Sequence, residues 1–330
     1  MFRGALVPCF EVPARADHVL AELNRRKLGT VLQPQAFDDS AITAIHSPRY
    51  LNFLATAWDQ WVALDPTNVD KDILPSVWPT RTFRIDIEPD NFSAKVGLYS
   101  YDAGSPFTAG TWVAARAGAD CALSAAQAVL NGERAAFALS RPPGHHAGMD
   151  FFGGYCFLNN AALAAQHLRN NGLKKVAVLD IDYHHGNGTQ AIFYDRPDVF
   201  FASIHGDPRT EYPFYLGHAD ECGAGAGLGA NLNLPLPRGT DFAAWSQALE
   251  TALAAIQTFG ADALVVSLGM DTFAGDPISG FTLRSDDYLR VGARLAKLGL
   301  PTVLVFEGGY AVAEVGINAV NVLESFSGSV

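Results

Sequence analysis

Charged side chains are scarce in this chain: Asp, Glu, Lys and Arg make up 17% of 330 residues, against a usual share of about 25%. With 49% apolar residues, that scarcity excludes a disordered chain, a coiled coil and a solvated linker protein. Basic residues are the scarcer sign, 23 Lys and Arg against 34 Asp and Glu, for a net charge of −11. No basic stripe interrupts this balance, so no nucleic-acid partner is expected; the field favours cationic partners. Cysteine is equally thin. Cys9, Cys121, Cys156 and Cys222 are scattered without a CxxC pair, which reads as reduced thiols in a cytoplasmic protein. No run of eighteen apolar residues offers a membrane span, and Glu11 and Pro13 interrupt the N-terminus before a signal-peptide core. A soluble, cytoplasmic protein with no membrane partner is expected. Repeats and low-complexity linkers are absent too, and GAGAGLG at 223–229 lacks the spacing of a dinucleotide fingerprint.

What the chain does have is alternation. Near-continuous apolar runs at 135–139, 176–182, 199–204, 263–268 and 302–306 read as strands covered on both faces, as in a parallel sheet. Helical stretches at 118–130, 159–170, 242–259 and 286–298 lie between them. Length alone allows two domains or one large α/β unit; the alternation favours a single α/β/α sandwich over 1–330. The stretch 65–107 differs, with Pro66, Pro75, Pro79, Pro89 and Pro106 and little periodicity. Such a segment is expected to serve function or an interface rather than the core.

Polar residues collect at the strand ends. RPPGHHA with His145 and His146 follows the first run, Asp180, Asp182 and His184 the second, Ser203 and His205 the third, Asp271 the fourth, and EGGY with Tyr310 the fifth. Ligands of parallel α/β sheets bind beyond those ends. Residues two apart in an extended chain share a face, so Asp182 and His184 can chelate one ion with Asp180 one step deeper. A single Asp–x–His would read as a helix cap. Two half-buried aspartates need a cation, and Asp271 adds a third ligand, the donor set of a catalytic zinc site. The paired histidines suit proton transfer beside such an ion. Two glycines before Tyr310 let its phenol aim into the site to stabilise an oxyanion.

RPPGHHAG, GGYCFLNNAALAA, VLDIDYHHGNGTQ, SLGMDTFAGDPISGF and EGGY together resemble the arginase–deacetylase superfamily, and within it the zinc-dependent histone deacetylase-like family. LVPCFEVPARAD, YLNFLATAWDQW, KVGLYSYDAGSPFTAGTW and HGDPRTEYPFYLGHADECGAGAG resemble its bacterial acetylpolyamine amidohydrolases most. The resemblance implies a mainly parallel sheet of roughly eight strands. It implies one Zn²⁺ per subunit on Asp182, His184 and Asp271. His146 would be general base and then acid, His145 an electrostatic imidazole oriented by Asp180, and Tyr310 the carbonyl-polarising group. Gly154, Tyr155, Tyr212 and Ile278 would bind substrate. Asp180, Asp182, His184, Ser203 and Ile204 would hold K⁺, with a second monovalent site around Phe193, Arg196 and Val199. It further implies a homodimer through the 65–107 insertion.

The chain departs from that pattern at three places. Asn187 stands where many histone deacetylases carry aspartate, so His146 should be raised less. A first strand of the family is expected to be missing. Ser93 and Gly104 stand where rim glutamates for a distal ammonium are expected, with Glu88, Asp90 and Asp102 nearby as substitutes. The reading is a zinc-dependent amidohydrolase of small acetylated amines. A lysine deacylase shares its chemistry, and a non-catalytic acyl-amine binder would expect damage to His145, His146 or Tyr310. A binuclear ureohydrolase would need a carboxylate at Gly186, and the residues two to either side of Asp271 are Gly269 and Phe273.

Overall fold

The computed structural model describes residue 5 and residues 7–328. Its helices are α1 (Ala14–Arg26), α2 (Asp39–Thr43), α3 (Pro48–Leu64), α4 (Phe92–Tyr99), α5 (Thr111–Leu130), α6 (Asn160–Asn170), α7 (Asn187–Phe193), α8 (Phe242–Phe259), α9 (Ser285–Ala296) and α10 (Val312–Gly328). The strands are β1 (Ala135–Ala138), β2 (Val176–Asp180), β3 (Val199–Gly206), β4 (Asn231–Leu236), β5 (Ala263–Leu268) and β6 (Thr302–Phe306). They form one sheet in the order β1-β6-β5-β2-β3-β4, every pair parallel.

The apolar runs form strands because both faces are covered. Val176, Val178, Val265, Val303 and Val305 enter one core, with residues of α3, α5 and α6. Ala177, Leu179, Leu264, Val266, Leu304 and Phe306 enter the other, with residues of α1, α8, α9 and α10. Side chains alternate faces along a strand, so a strand inside such a sandwich must be apolar at every position. The helices are fixed at their ends. The Asn159 side chain accepts from the Ala162 N–H, Asp241 does the same for Ala244, and Gly260 closes α8 with φ 73°. An N-cap of this kind contributes about 1 kcal/mol.

The α/β class is as expected; the strand count is not. Six strands replace the eight or so implied. Elsewhere among the described residues pairing stops at isolated bridges such as Ser100↔Phe152 and Ile73↔Phe107, and Pro235 lies on the edge strand β4, where proline is tolerated. The expectation about a first strand concerns the extreme N-terminus, of which residues 1–4 and 6 lie outside the described residues. The 65–107 segment is also less purely peripheral than expected. Phe92, Val96, Tyr99 and Phe107 pack into the core, whereas Val77, Trp78, Phe83, Ile85 and Ile87 stay exposed.

One feature of the order places the site. After β2 the chain moves to β3, and after β5 to β6, on the opposite side. The carboxyl ends of β2 and β5 therefore flank a topological switch point, where the crevice of an open parallel sheet lies.

Candidate active site

Asp182 and His184 follow β2, and Asp271 follows β5, across that crevice. All three are buried, with ligand-type atoms within 4.8 Å of one another. His184 Nδ1 lies 2.9 Å from Asp271 Oδ2 and 3.4 Å from Asp182 Oδ1. Ligands around a tetrahedral ion with bonds of about 2.0–2.2 Å stand roughly 3.3–3.6 Å apart; the Asp182 pair has that spacing, and the Asp271 pair is closed to a hydrogen bond. Backbone groups aim the carboxylates: Gly308 N–H donates to Asp182 Oδ2 at 2.8 Å and Tyr183 N–H to Asp271 Oδ1 at 2.8 Å. A Cβ on Gly308 would sit 2.5 Å from Asp182 Oδ2 and 2.8 Å from Asp271 Oδ2, which only glycine avoids.

The electrostatics ask for positive charge at that spot. Burial and the Asp182 carboxylate push Asp271 up to about 7. Burial opposes charge on His184, yet hydrogen bonding to Asp182 and Asp271 raises it to about 10. Burial acts against ionised Asp182 too, but His145 and His184 hold it below the usual carboxylate range. Two carboxylates and an imidazole thus compete for a proton that a divalent ion would replace. The donor set fits a metal.

His145 and His146 sit side by side, ring centroids 4.0 Å apart, with opposite tendencies. His145 Nδ1 lies 2.9 Å from Asp180 Oδ2. Burial disfavours its charge, but Asp180, Asp182 and Glu307 raise it well above its ordinary value. His146 is held well below, by burial and then by the charges of His145 and His184. Its Nδ1 lies 2.6 Å from Asn187 Oδ1; an amide oxygen only accepts, so Nδ1 carries the hydrogen and Nε2 keeps its lone pair.

Tyr310 completes the set from the loop after β6. Its N–H donates to Asp276 Oδ2 at 2.7 Å, and the Arg15 guanidinium lies 4.9 Å from its ring centroid. Burial pushes the phenol well above its usual range, with Arg15 opposing and Asp182 and Asp271 adding, so it keeps its proton to donate. Arg15 is itself fully buried and donates to Gly309 O at 2.6 Å and to Glu307 O. Glu307 accepts from the Gly144 N–H at 2.6 Å and the His145 N–H at 3.2 Å, and burial raises it to about 7. His145, Cys156 and Glu307 also cluster. Burial keeps that thiol protonated, a poor ligand.

Three of the residues expected to bind substrate border this centre, Gly154 among them, where a Cβ would lie 2.2 Å from His146 Cδ2. Tyr155 packs 5.7 Å from Tyr310, and Tyr212 lies 5.1 Å from His146 and 6.1 Å from His184 by ring centroids. Ile278 is half-buried, its N–H donating to Asp276 Oδ1 at 3.0 Å. Tyr101, stacked on Tyr212 at 6.1 Å, was not expected here. Beyond Tyr155 lies a cavity of about 400 Å³ whose lining includes Cys9, Glu11 and Arg141 and none of the metal-type residues.

The residues expected to hold monovalent ions fall in two groups. Asp180 pairs in register with Ser203, beside Ile204, Asp182 and His184, all buried. Phe193, Arg196 and Val199 lie between the end of α7 and the start of β3, where Arg196 N–H donates to Phe193 O at 3.0 Å. Of the three carboxylates expected at the rim, Asp90 is exposed and the other two have partners. Asp102 has both oxygens engaged within the protein. Glu88 accepts from the Tyr99 hydroxyl and pairs with Lys95 at 3.3 Å. Asp102, with two donors on each oxygen, is not free to hold an ammonium.

The family model of the histone deacetylase domain matches residues 9–326. The chain is 56% identical to acetylpolyamine amidohydrolase 2 of Pseudomonas aeruginosa, over 98% of this chain and 93% of that protein. It is 47% identical to acetylpolyamine amidohydrolase of Mycoplana ramosa, over 99% and 95%. The crystal structure of acetylpolyamine aminohydrolase from Burkholderia pseudomallei superimposes with a TM-score of 0.94 at 40% identity, covering 100% of this chain and 94% of that one. The HDA15 HD domain gives 0.82 at 27%, covering 99% and 85%.

Proposed function

The chain belongs to the histone deacetylase domain family, and from that premise we propose that it hydrolyses the amide bond of small acetylated amines of the acetylpolyamine type. One observation carries this: identity of 47–56% over at least 98% of the chain to proteins named for that activity.

Asp182, His184 and Asp271 would hold one divalent ion per chain, Zn²⁺ by their mixed nitrogen and oxygen donors. When bound, such an ion supplies Lewis acidity to a carbonyl and lowers the pKa of water. The protein's own residues do the rest. His146, neutral with a free Nε2, takes a proton from the attacking water and returns it to the departing amine nitrogen. His145, positively charged through Asp180, offsets negative charge as it develops. Tyr310 donates its O–H to the oxyanion. Water's oxygen bonds to the carbonyl carbon, the C–N bond breaks, and acetate and the free amine leave. Tyr155 and Tyr212 exclude wide substrates. A structural K⁺ at Asp180, Asp182, His184, Ser203 and Ile204, with a second monovalent ion at Phe193, Arg196 and Val199, belongs to the same reading.

The whole of 1–330 is read as one deacetylase unit of the cytoplasm. Among the described residues no helix is long and apolar enough to cross a membrane, and the four cysteines are free. The exposed Val77, Trp78, Phe83, Ile85 and Ile87 give the 65–107 segment an apolar surface for a homodimer; an active monomer after shortening it would refute this. A panel of acetylated polyamines, acetyl-lysine peptides and longer acyl-lysines with Zn²⁺-reconstituted protein tests the activity. Preference for an acetylated diamine is expected. Comparable kcat/KM on a folded acetylated protein would make it a lysine deacylase instead.

A further inference from the structure

The walls of the substrate tunnel come from three distant stretches: the end of the 65–107 segment, the loop after β1 and the loop after β3. One carboxylate touches all three. Asp102 Oδ2 accepts from the Gly154 N–H at 2.7 Å and from the Tyr212 hydroxyl at 2.6 Å. Its Oδ1 accepts from the Gly104 N–H at 2.8 Å and the Ser105 hydroxyl at 3.1 Å. Ser105 Oγ in turn accepts from the Tyr155 N–H at 2.9 Å.

The wall it holds is strained. Gly154 and Tyr155 have φ of 55° and 66°, a left-handed region that a tyrosine occupies only when its surroundings impose it. Both N–H groups of that pair end on Asp102 or Ser105. The wall also abuts the chemistry, since a Cβ on Gly154 would lie 2.2 Å from His146 Cδ2. On the opposite wall, the Tyr212 oxygen lies 2.5 Å from the Tyr101 hydroxyl. Tyr101 reaches Asn187 Oδ1 at 3.4 Å, the same atom that faces His146 Nδ1.

We propose that Asp102 is a positioning residue that sets substrate selectivity by fixing the spacing of Tyr155 and Tyr212; this rests on the amidohydrolase reading of the site. A carboxylate accepting from both walls makes one frame of two loops, because parting them breaks charge-assisted hydrogen bonds. An unbranched chain next to the acetamide passes between the walls, and a branch there does not.

The test uses full-length, Zn²⁺-loaded wild type, Asp102→Ala, Asp102→Asn and Ser105→Ala. The readouts are kcat/KM on mono-acetylated 1,4-diaminobutane and on an analogue with a methyl group beside the acetamide nitrogen, and hydrogen exchange at the Gly154 and Tyr155 amides. In Asp102→Ala the unbranched-to-branched ratio should fall at least tenfold and both amides exchange at least tenfold faster, with β2 amides unchanged. Asp102→Asn, keeping one acceptor oxygen, should fall between. If Asp102→Ala does not fold, Ser105→Ala should show the same two changes on a smaller scale. A ratio within twofold of wild type, even with equal loss on both substrates, or unaltered exchange at both amides, overturns the proposal. Wild type inactive on both substrates would instead refute the amidohydrolase reading, and the exchange data would still decide whether Asp102 holds the Gly154–Tyr155 wall.

Discussion

Carboxylates at the sheet end and carboxylates of the 65–107 segment have opposite fates. Asp182 and Asp271 are buried within 4.8 Å of each other's reach, and burial drives Asp271 up to about 7. Asp182 accepts a backbone N–H on each oxygen and Asp271 on one, but the space between them lacks the charge to balance both. Asp102 and Glu88 are neutralised locally, by N–H and O–H donors and, for Glu88, by Lys95. The sheet end thus stores unbalanced charge that a cation completes. The segment spends its charge on holding shape. Residues of one chemical type stand ready for chemistry in the first place and serve architecture in the second, and the difference lies in burial, complete at the sheet end and partial in the segment.

The contrast breaks most visibly at the metal-type cluster. His184→Ala should lose the bound ion and cut kcat by roughly 10³-fold or more, the several kcal/mol that an ion supplies. Metal analysis beside activity checks it; full metal content with full rate would end the assignment, and two tightly held ions per chain would revive a binuclear enzyme. Tyr310→Phe separates metal holding from catalysis. It should keep the ion and lose about 3–4 kcal/mol of transition-state stabilisation, roughly 10²–10³ in kcat. Unchanged kcat/KM would remove the oxyanion role.

A third test concerns a group outside both regions, where the chain before α3 meets the loop after β1. His46, just before α3, is buried and neutral: Nδ1 lies 2.9 Å from Gly148 O, and Nε2 accepts from the Asn159 N–H at 2.9 Å. Burial lowers it to about 4, below the usual value of about 6.5. The unfolded chain therefore binds the proton first. His46 contributes stability that is fully present above pH 6.5 and is lost as pH falls towards 4, up to about 3 kcal/mol. Asp271 and Glu307, both raised, act in the opposite sense, so the comparison is between wild type and His46→Gln. Their stability difference, from denaturant melts at pH 4.5 and 6.5, should shrink at the lower pH. A constant difference would mean that His46 does not titrate in this window. The smallest effect is expected at the rim. Glu88→Gln and Asp90→Asn should each change kcat/KM on an acetylated diamine by less than about 1 kcal/mol, with weak dependence on salt. A tenfold loss would restore charge as the selector.

Five strands were legible because a parallel strand buried on both faces must be apolar throughout. β4 was not, since its inward side carries Asn231 and Asn233, bonded to Gln190, and its apolar pattern is broken. α1 and α10 were missed for the same reason. Arg15 and Glu22 occupy the buried face of one, and Asn318 and Asn321 that of the other, diluting the helical period that apolar residues would announce. α5 begins seven residues before the expected 118, because Thr111 to Ala119 pack an Ala-rich face whose small side chains give a weak signal.

At the candidate site, the placement of residues at their own strand ends was legible: Asp182, His184, Asp271, the two histidines and Tyr310. Contacts made across the chain were not. Arg15 meets Gly309 across 294 positions and Asp102 meets Tyr212 across 110, and nothing local marks either. The sequence by itself determined which segments must be buried strands and which ionisable groups stand at their ends, because burial and side-chain alternation are properties of neighbours along the chain. Only the tertiary structure decided that β5 lies beside β2, that the surroundings of two adjacent histidines push one towards charge and the other away from it, and that the Asp102 oxygens accept from Gly104, Ser105, Gly154 and Tyr212. Those outcomes depend on distances between atoms through space, which govern hydrogen bonding and Coulomb interaction alike.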